Sequence, residues 1–310
     1  MKVKSIIIGC GQVAGGYDNN YDQKIRTHAK AYQLNNKVDL SGVCDKDIEK
    51  ARKFAKKWKI KYFTNSIDEI LNDCKPDLVS ICTNTDTHYE VIKKVIKSGV
   101  RKIWLEKPAT KNLNQTLKIF KLAKENKVKI TISYYRSHLK EILSLKKKFL
   151  SFGKIQSVNC LYTKGLENNG SHLLNLLLRL FGNKFKVLSA NKVNDNNYPL
   201  ISFSLSNRFY NIDVKSLNYK YYEIFEIDIS FTKGRIIIAD GGRYIYFFKA
   251  KKNKYNINYF NLELIETRKI SFDHTFKNIL ANIIAGKNLS SLQDEIEIYR
   301  LITKINNNLN

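Results

Sequence analysis

The segment that decides the fold is residues 5–14, which read SIIIGCGQVA. Its first four residues form a short run without charge, typical of a strand buried on both faces. Gly9 and Gly11 follow at once, and Ala14 completes the pattern G-x-G-x-x-A, an accepted form of the dinucleotide-binding fingerprint. The segment therefore predicts a strand, a tight turn and a helix that together form a nucleotide site.

Each position of the fingerprint has a physical purpose. Gly9 allows the tight turn, Gly11 lets the backbone approach a pyrophosphate, and Ala14 lets the helix pack closely on the strand. The helix N-terminus then offers free N–H groups and a partial positive charge to the phosphates, with Gln12 and Val13 inside the motif. We expect these five residues to bind the cofactor.

The next 120 residues alternate short apolar runs with helical patterns. Capping signals precede three of the helices: Ser66-x-x-Glu69 is a capping box, Asp86 or Thr87 is expected to cap residues 88–98, and Asn112 to cap residues 113–125. This alternation predicts a parallel doubly wound sheet. The strands are expected at residues 5–8, 39–44, 78–82, 102–105 and 129–133.

Asp45 follows the second predicted strand, where an acidic residue would hydrogen-bond the adenosine ribose of NAD. A carboxylate there repels a 2′-phosphate, so the sequence favours NAD over NADP. The neighbouring Lys46 leaves NADP open. Residues 15–27 are an irregular insertion between the fingerprint and a helix expected to begin near His28-Ala29. The insertion is interpreted either as a loop over the bound ligands or as a surface loop.

The second half of the chain has a different pattern. After a helix at residues 171–181, strands follow in series without helices, with Gly241-Gly242 as a tight turn. We expect an α+β domain with a mainly antiparallel sheet, ended by a helical tail from residue 272. The predicted domains are residues 1–133 for the dinucleotide and residues 134–310 for substrate and oligomerisation. The sequence leaves open that the C-terminal helix packs back on the first domain.

Composition narrows the class of protein. The net charge is +26, but the basic residues are spread along the chain, and no helix-turn-helix or RNP pattern accompanies them, which argues against nucleic acid. No apolar run reaches about 20 residues and no secretory signal is visible, so a cytoplasmic protein without membrane contact is expected. Five cysteines without Cys-x-x-Cys pairs and five scattered histidines indicate neither a disulfide framework nor a metal site.

Several motifs together resemble the Gfo/Idh/MocA oxidoreductases, a family named for glucose-fructose oxidoreductase and inositol dehydrogenase. The resemblance covers nearly the whole chain. Besides the fingerprint and Asp45, it is carried by Thr83-Asn84-Thr85 with His88, Glu106-Lys107-Pro108, Tyr135-Arg136, and Gly170-Ser171-His172.

The resemblance implies roles for these residues. Lys107 would hold and polarise the reacting hydroxyl or ketone, because an ammonium stabilises a forming alkoxide. His172 would be the acid/base, since its imidazole titrates near neutrality. Arg136 and Asn168 are expected to contact substrate. The expected cofactor contacts are Thr83, Asn84, His88 and Glu106.

Two positions depart from the family pattern. Asn168 and Asn175 stand where many members carry aspartates near the acid/base histidine. An amide can orient an imidazole, but it cannot stabilise an imidazolium by charge. The leading hypothesis is an NAD(P)-dependent dehydrogenase or reductase of a sugar or nucleotide-linked sugar, active as a homodimer or homotetramer. The alternative is a non-catalytic, dinucleotide-sensing regulator of the same fold.

Overall fold

The computed structural model describes residues 2–19, 21–195, 198–207, 209–218, 220–255 and 259–309. The chain divides into two compact units. The first comprises Met1–His138 with Phe272–Ile296, and the second comprises Leu139–Ser271 with Glu297–Asn310. The division thus falls five residues after the predicted position, between 138 and 139, and residues 272–296 belong to the first unit.

The first unit contains a six-stranded parallel sheet of order β3-β2-β1-β4-β5-β6, as the βα alternation predicts. The strands are β1 Val3–Ile8, β2 Val38–Cys44, β3 Tyr62–Thr64, β4 Leu78–Ile81, β5 Lys102–Leu105 and β6 Lys129–Ile132. Strand β3 is an addition to the predicted series. Its three residues are too short to give a sequence signal.

The helices of this unit are α1 His28–Gln33, α2 Ile48–Trp58, α3 Ile67–Cys74, α4 Thr85–Lys97, α5 Leu113–Glu125 and, from the end of the chain, α8 Thr275–Ile284. The side chains of Ser66 and Asn112 cap α3 and α5 as predicted. The predicted start of α4 was wrong. The helix begins at Thr85 after Asn84, and no side chain caps it.

The core of the first unit joins its two ends in sequence. Strand β1 contributes Ile7, strand β5 contributes Trp104, and helix α8 contributes Phe276 and Ile279 to one buried cluster. Residues far apart in the chain therefore shape the carboxyl edge of the sheet, where ligands bind in this architecture.

The second unit contains an eight-stranded sheet of order β14-β13-β12-β11-β7-β10-β9-β8, in which only the β7–β10 pairing is parallel. Its strands are β7 Ile155–Tyr162, β8 Lys186–Asp195, β9 Tyr198–Ser206, β10 Asn211–Ser216, β11 Phe225–Phe231, β12 Gly234–Ala239, β13 Tyr244–Lys252 and β14 Phe260–Lys269. The mainly antiparallel sheet is confirmed, and Gly241 and Gly242 turn between β12 and β13 with φ of 64° and 87°.

Helices α6 Lys140–Phe152 and α7 Ser171–Phe181 belong to this unit. Phe152 of α6 packs on Phe231 and Phe247 of the sheet, with ring centroids 5.5 and 6.2 Å away. The long helix α9 Leu292–Asn307 begins in the first unit and ends in the second. A capping box opens this helix, because Ser291 and Asp294 exchange hydrogen bonds between side chain and backbone.

Candidate active site

The fingerprint loop packs backbone against backbone at the end of β4. Gly9 has a φ of +94°, and a Cβ atom there would lie 2.7 Å from the backbone of Cys82 and Thr83. Gly11 has an ordinary φ of −83°, and a Cβ there would meet nothing within 4 Å. The first glycine is therefore required by the fold itself, whereas the space over the second is open to a ligand.

The fingerprint leads into one helical turn, and the predicted insertion then separates this turn from the next helix. Gln12–Gly16 form one π-helical turn in which the N–H groups of Gly15 and Gly16 donate to the carbonyl of Gly11, both at 3.3 Å. Helix α1 begins only at His28. Two successive glycines favour no helix. Phosphates would consequently meet the backbone of the loop instead of the end of a long helix dipole.

The insertion at residues 15–27 is anchored by a buried carboxylate. Asp18, 2% exposed, accepts hydrogen bonds from the Arg26 N–H at 2.8 Å, the Arg26 guanidinium at 3.1 Å and the Thr27 hydroxyl at 2.8 Å. The N–H of Ile25 also donates to the carbonyl of Asp273 at 2.5 Å. The loop is therefore fixed at its base, and its position relative to bound ligands stays a prediction.

A cleft of about 220 Å³ opens at the carboxyl ends of β1, β2 and β4. Half of the predicted cofactor residues meet there, while Gln12, Val13, Ala14, His88 and Glu106 lie outside its lining. The lining includes Gly9, Gly11, Asp45, Thr83 and Asn84. Ala14 is fully buried, which agrees with its predicted use as a small packing residue.

Asp45 connects β2 to the fingerprint loop. One carboxylate oxygen accepts the N–H of Cys10 at 2.7 Å, and the other accepts the N–H of Asp47 at 3.1 Å. The Lys50 ammonium lies 3.6 Å away. Asp45 thus shapes the cleft before any ligand binds, and its charge is partly balanced by a neighbouring lysine.

The cysteines around the cleft are apolar lining. Burial, with a smaller contribution from the Asp45 charge, raises the pKa of the Cys44 thiol to about 12. Burial raises the pKa of Cys10 and Cys82 further still. Thiols that stay protonated are poor nucleophiles, so the site offers no cysteine chemistry.

Lys107 follows β5, one strand beyond the cleft, and is half-buried. Burial lowers the pKa of its ammonium, while the charges of Glu106 and Glu295 act in the opposite direction. Glu106 keeps a pKa below its usual range, because the hydrogen bond from His28 and the nearby charges outweigh the effect of burial. The lysine is therefore partly desolvated, and the charges of two carboxyl groups favour its ammonium form.

Glu295 is a residue that sequence reasoning missed. It lies on α9 and is 1% exposed. Its carboxyl group accepts the N–H of Ala109 at 2.9 Å and the hydroxyl of Tyr134 at 2.7 Å. Burial raises its pKa, although both hydrogen bonds oppose this. An acidic residue on the buried face of the last helix is the only signal that the sequence held.

His88 joins the two loops that carry the predicted site. Its ring nitrogens lie 3.0 Å from the carbonyl oxygens of Thr83 and Pro108, and the side chain is 1% exposed. Burial lowers the pKa of the ring, while the carbonyl contacts raise it. His88 lies outside the lining of the cleft, so its predicted contact with the cofactor stays a prediction.

Arg136 lies in the short 3₁₀ segment after β6 and is 8% exposed. Its guanidinium packs over the rings of Tyr135 and Phe272, at 4.7 and 5.7 Å. These contacts bury the charge next to aromatic faces, an arrangement worth about 1–2 kcal/mol. Its predicted contact with substrate stays a prediction.

The second unit holds the predicted acid/base. His172 is the second residue of α7 and is 6% exposed, and Asn175, one turn later, is 3% exposed. Asn168 is exposed in the π-helical turn before α7, where its carbonyl accepts the Ser171 hydroxyl at 2.7 Å. The two asparagines therefore differ in exposure. Asn175, three residues after His172, is buried, whereas Asn168 is exposed to solvent.

The geometry of the first unit suits a dinucleotide. Gly11 leaves open space at the loop, the backbone of residues 9–11 lines the cleft, and an acidic residue follows β2. These are the parts of a Rossmann-type nucleotide site, and the residues present fit the cofactor.

Residues 3–134 match the family described as "Oxidoreductase family, NAD-binding Rossmann fold", GFO_IDH_MocA. This match agrees, over residues 3–134, with the resemblance seen in the sequence. The cofactor class is thereby confirmed at the level of the family, which is NAD-binding.

D-glucoside 3-dehydrogenase of Escherichia coli is 31% identical over 102 residues, which are 33% of this chain and 26% of that protein. The matched segments span only 26% to 28% of the length of the curated relatives.

Solved structures match the whole chain. UDP-N-acetylglucosamine 3-dehydrogenase from Acidithiobacillus ferrooxidans has a TM-score of 0.79 at 17% identity, covering 100% of this chain and 98% of that one. The super-repressor mutant of Gal80p from Saccharomyces cerevisiae has a TM-score of 0.81 at 16% identity, covering 99% and 96%. At such identities the likeness shows the fold alone.

Two further observations concern the described part of the chain. Within it, none of the helices combines the length and apolar character needed to cross a bilayer. Nor do three or more histidine, cysteine, aspartate or glutamate side chains gather there in a group able to hold a metal ion.

Proposed function

We propose that this protein is an NAD(P)-dependent oxidoreductase that transfers hydride between the nicotinamide and a ring carbinol or ketone carbon of a sugar. The observation that carries the proposal is Lys107, a half-buried lysine at the carboxyl end of β5, with Glu106 and Glu295 acting on its charge. Ligands of doubly wound sheets bind at this edge.

In this proposal the chain supplies charge and proton transfer. The Lys107 ammonium donates a hydrogen bond to the reacting oxygen and stabilises it as an alkoxide develops. His172 takes the hydroxyl proton in oxidation and returns it in reduction. The nicotinamide, when bound, accepts or gives the hydride. The cofactor would be held by Gly9, Gly11, Gln12, Val13, Ala14, Asp45, Thr83 and Asn84, with His88 and Glu106 behind it. Arg136 and Asn168 would contact the substrate.

The substrate class is proposed from two similarities and from charge. The names of two similar proteins, a glucoside dehydrogenase and a UDP-sugar dehydrogenase, point to sugar hydroxyls. A net charge of +26 favours an anionic substrate such as a nucleotide-linked sugar for surface polysaccharide. For the cofactor we propose NAD, because the Asp45 carboxylate disfavours a 2′-phosphate, although Lys46 and Lys50 line the same cleft and weaken the preference.

We further propose a cytoplasmic homodimer or homotetramer. The proposal of an oligomer is supported by apolar side chains on β13 and β14 of the eight-stranded sheet. Tyr244, Tyr246 and Phe248 are half-buried, and Leu262 and Leu264 are more than half exposed. Exposed apolar patches of this kind favour association between copies.

The first experiment compares Lys107→Ala with Lys111→Ala. Lys111 is a matched control, because it lies four residues later and pairs with Asp86 at the surface. Turnover of UDP-N-acetylglucosamine and methyl glucosides should fall by about 10²–10³ in Lys107→Ala alone. Fluorescence titration with NADH and NADPH should show unchanged binding in both. Unchanged turnover in Lys107→Ala would contradict the assignment.

A second function is favoured by a specific departure. Asn168 and Asn175 stand where many family members carry aspartates. In addition, the super-repressor mutant of Gal80p has the same fold as this chain. A regulator of this kind would bind NADH yet turn over no sugar in the panel. That result, with a well-folded protein, would replace the enzyme hypothesis.

A further inference from the structure

A chain of buried hydrogen bonds ends at Glu106. His28, the first residue of α1, places Nε2 2.9 Å from Glu106 Oε1 and Nδ1 2.9 Å from Ser80 Oγ. The Tyr32 hydroxyl lies 2.6 Å from the same Ser80 oxygen. His28 and Ser80 are 0% exposed and Tyr32 is 1% exposed, so solvent does not compete for these bonds.

The direction of the chain follows from counting hydrogens. An ionised carboxylate only accepts, so His28 donates from Nε2 to Glu106. A neutral ring then accepts at Nδ1 from the Ser80 hydroxyl, whose oxygen accepts from Tyr32. If His28 instead donated from both nitrogens, Ser80 would donate to Tyr32. The Tyr32 hydrogen would then lack an acceptor among the described residues, which is costly in a buried place.

Aromatic packing holds the ring of His28 in place. Its centroid lies 3.9 Å from the Trp104 ring at 44° and 5.2 Å from the Phe276 ring at 73°. Ser80, His28 and Glu106 have the order of a hydrolase triad, but the serine is fully buried and already bonded on both sides. No acyl group can reach it, so the chain serves Glu106 and not a nucleophile.

We propose that His28 is a positioning residue that fixes the ionised Glu106 carboxylate beside Lys107 and so holds the lysine ammonium in position for the reaction. The inference rests on the proposed role of Lys107. Two facts support the path of the effect. The His28 hydrogen bond favours the ionised form of Glu106, and the Glu106 charge favours the ammonium form of Lys107.

The kinetic test uses His28→Leu, His28→Gln and the control His274→Leu, whose histidine is exposed at the start of α8. Without its donor, Glu106 should ionise at higher pH. The acid limb of kcat/KM for UDP-N-acetylglucosamine should therefore move upward by about one pH unit in His28→Leu. Activity should fall about tenfold at pH values below the pKa of Glu106, with NADH affinity unchanged. Glutamine keeps a donor at the Nε2 position and should restore the wild-type limb.

An acid limb in His28→Leu identical to wild type would overturn the inference, and so would a loss that glutamine fails to restore. A spectroscopic arm needs no substrate. In protein with ¹⁵N-labelled histidine, the resonances lost in His28→Gln belong to His28, one of five histidines. They should report a neutral ring protonated at Nε2. A ring protonated at Nδ1 would overturn the proposed direction.

The two arms separate the inference from the function beneath it. Wild-type protein that turns over no sugar would end the proposed function, while the nitrogen spectrum would still decide the place of His28. Full activity in Lys107→Ala would likewise end the proposed function and leave the nitrogen spectrum to decide the place of His28. If His28→Leu fails to fold, Ser80→Ala gives the answer, because loss of the Ser80 donor should let Nδ1 protonate and change the spectrum. An unchanged spectrum in Ser80→Ala would contradict the chain.

Discussion

The fingerprint loop and the Glu-Lys-Pro loop lie at the same edge of one sheet but are built differently. The fingerprint loop is shaped by backbone: Gly9 packs against the backbone that follows β4, and Asp45 accepts a backbone N–H. The Glu-Lys-Pro loop is shaped by side chains, which come from His28, His88 and Glu295. A site made of backbone needs a short motif, whereas a site made of side chains needs residues from the whole unit.

The largest effect is expected from Gly9→Ala. Its φ of +94° and a Cβ contact of 2.7 Å with backbone leave no room for adjustment. We expect a loss of about 3 kcal/mol in the free energy of unfolding, measured by urea denaturation. A variant as stable as wild type would show that side chains, and not backbone, fix this loop.

Glu295→Gln should have the next largest effect. The amide has one oxygen where the carboxyl group uses two, so either the Ala109 N–H or the Tyr134 hydroxyl loses its acceptor. The expected loss is about 2 kcal/mol by urea denaturation, because both donors are buried. Glu90→Gln, which removes an exposed pair with Lys93, should change stability by less than about 1 kcal/mol. Equal effects would contradict the special place of Glu295.

Gly11→Ala sharpens the contrast within the fingerprint loop. A Cβ here meets nothing in the protein, so stability should stay within about 0.5 kcal/mol of wild type. The methyl group would stand where we expect the pyrophosphate, and NADH affinity should fall at least tenfold, or about 1.4 kcal/mol. Unchanged affinity in a fluorescence titration would place the cofactor elsewhere.

The smallest effect expected concerns how stability depends on pH, because Glu106 and Glu295 should contribute with opposite signs. The pKa of Glu106 is lowered in the folded state, so its contribution is present above about pH 4.3 and is lost as pH falls further. The pKa of Glu295 is raised, so its contribution is full below that pH and declines as pH rises. Urea denaturation from pH 2 to 8, taken as the difference in unfolding free energy between wild type and each of Glu106→Gln and Glu295→Gln, should give opposite slopes. Parallel slopes would contradict this assignment.

The same contrast explains how much the sequence could predict. Local patterns in the sequence predict four features that the structure contains: the parallel sheet, the antiparallel sheet, the helix caps at Ser66 and Asn112, and the fingerprint cleft. The start of α4 was mispredicted. The interruption after the fingerprint and the start of α1 near His28 follow from the successive glycines, and the structure contains both. His28 and Glu295 carry no local signal, because a buried charge is defined by its partners, and those lie 78 and 186 residues away.

The return of residues 272–296 to the first unit has a consequence for synthesis on the ribosome. A growing chain can assemble the six parallel strands once about 135 residues have emerged, since domains generally fold as units from the N-terminus. Phe276 and Glu295, however, emerge only after the whole second sheet has been translated. The nucleotide cleft is therefore completed early in translation, and the loop that carries Lys107 receives its last support only after the second sheet has been made.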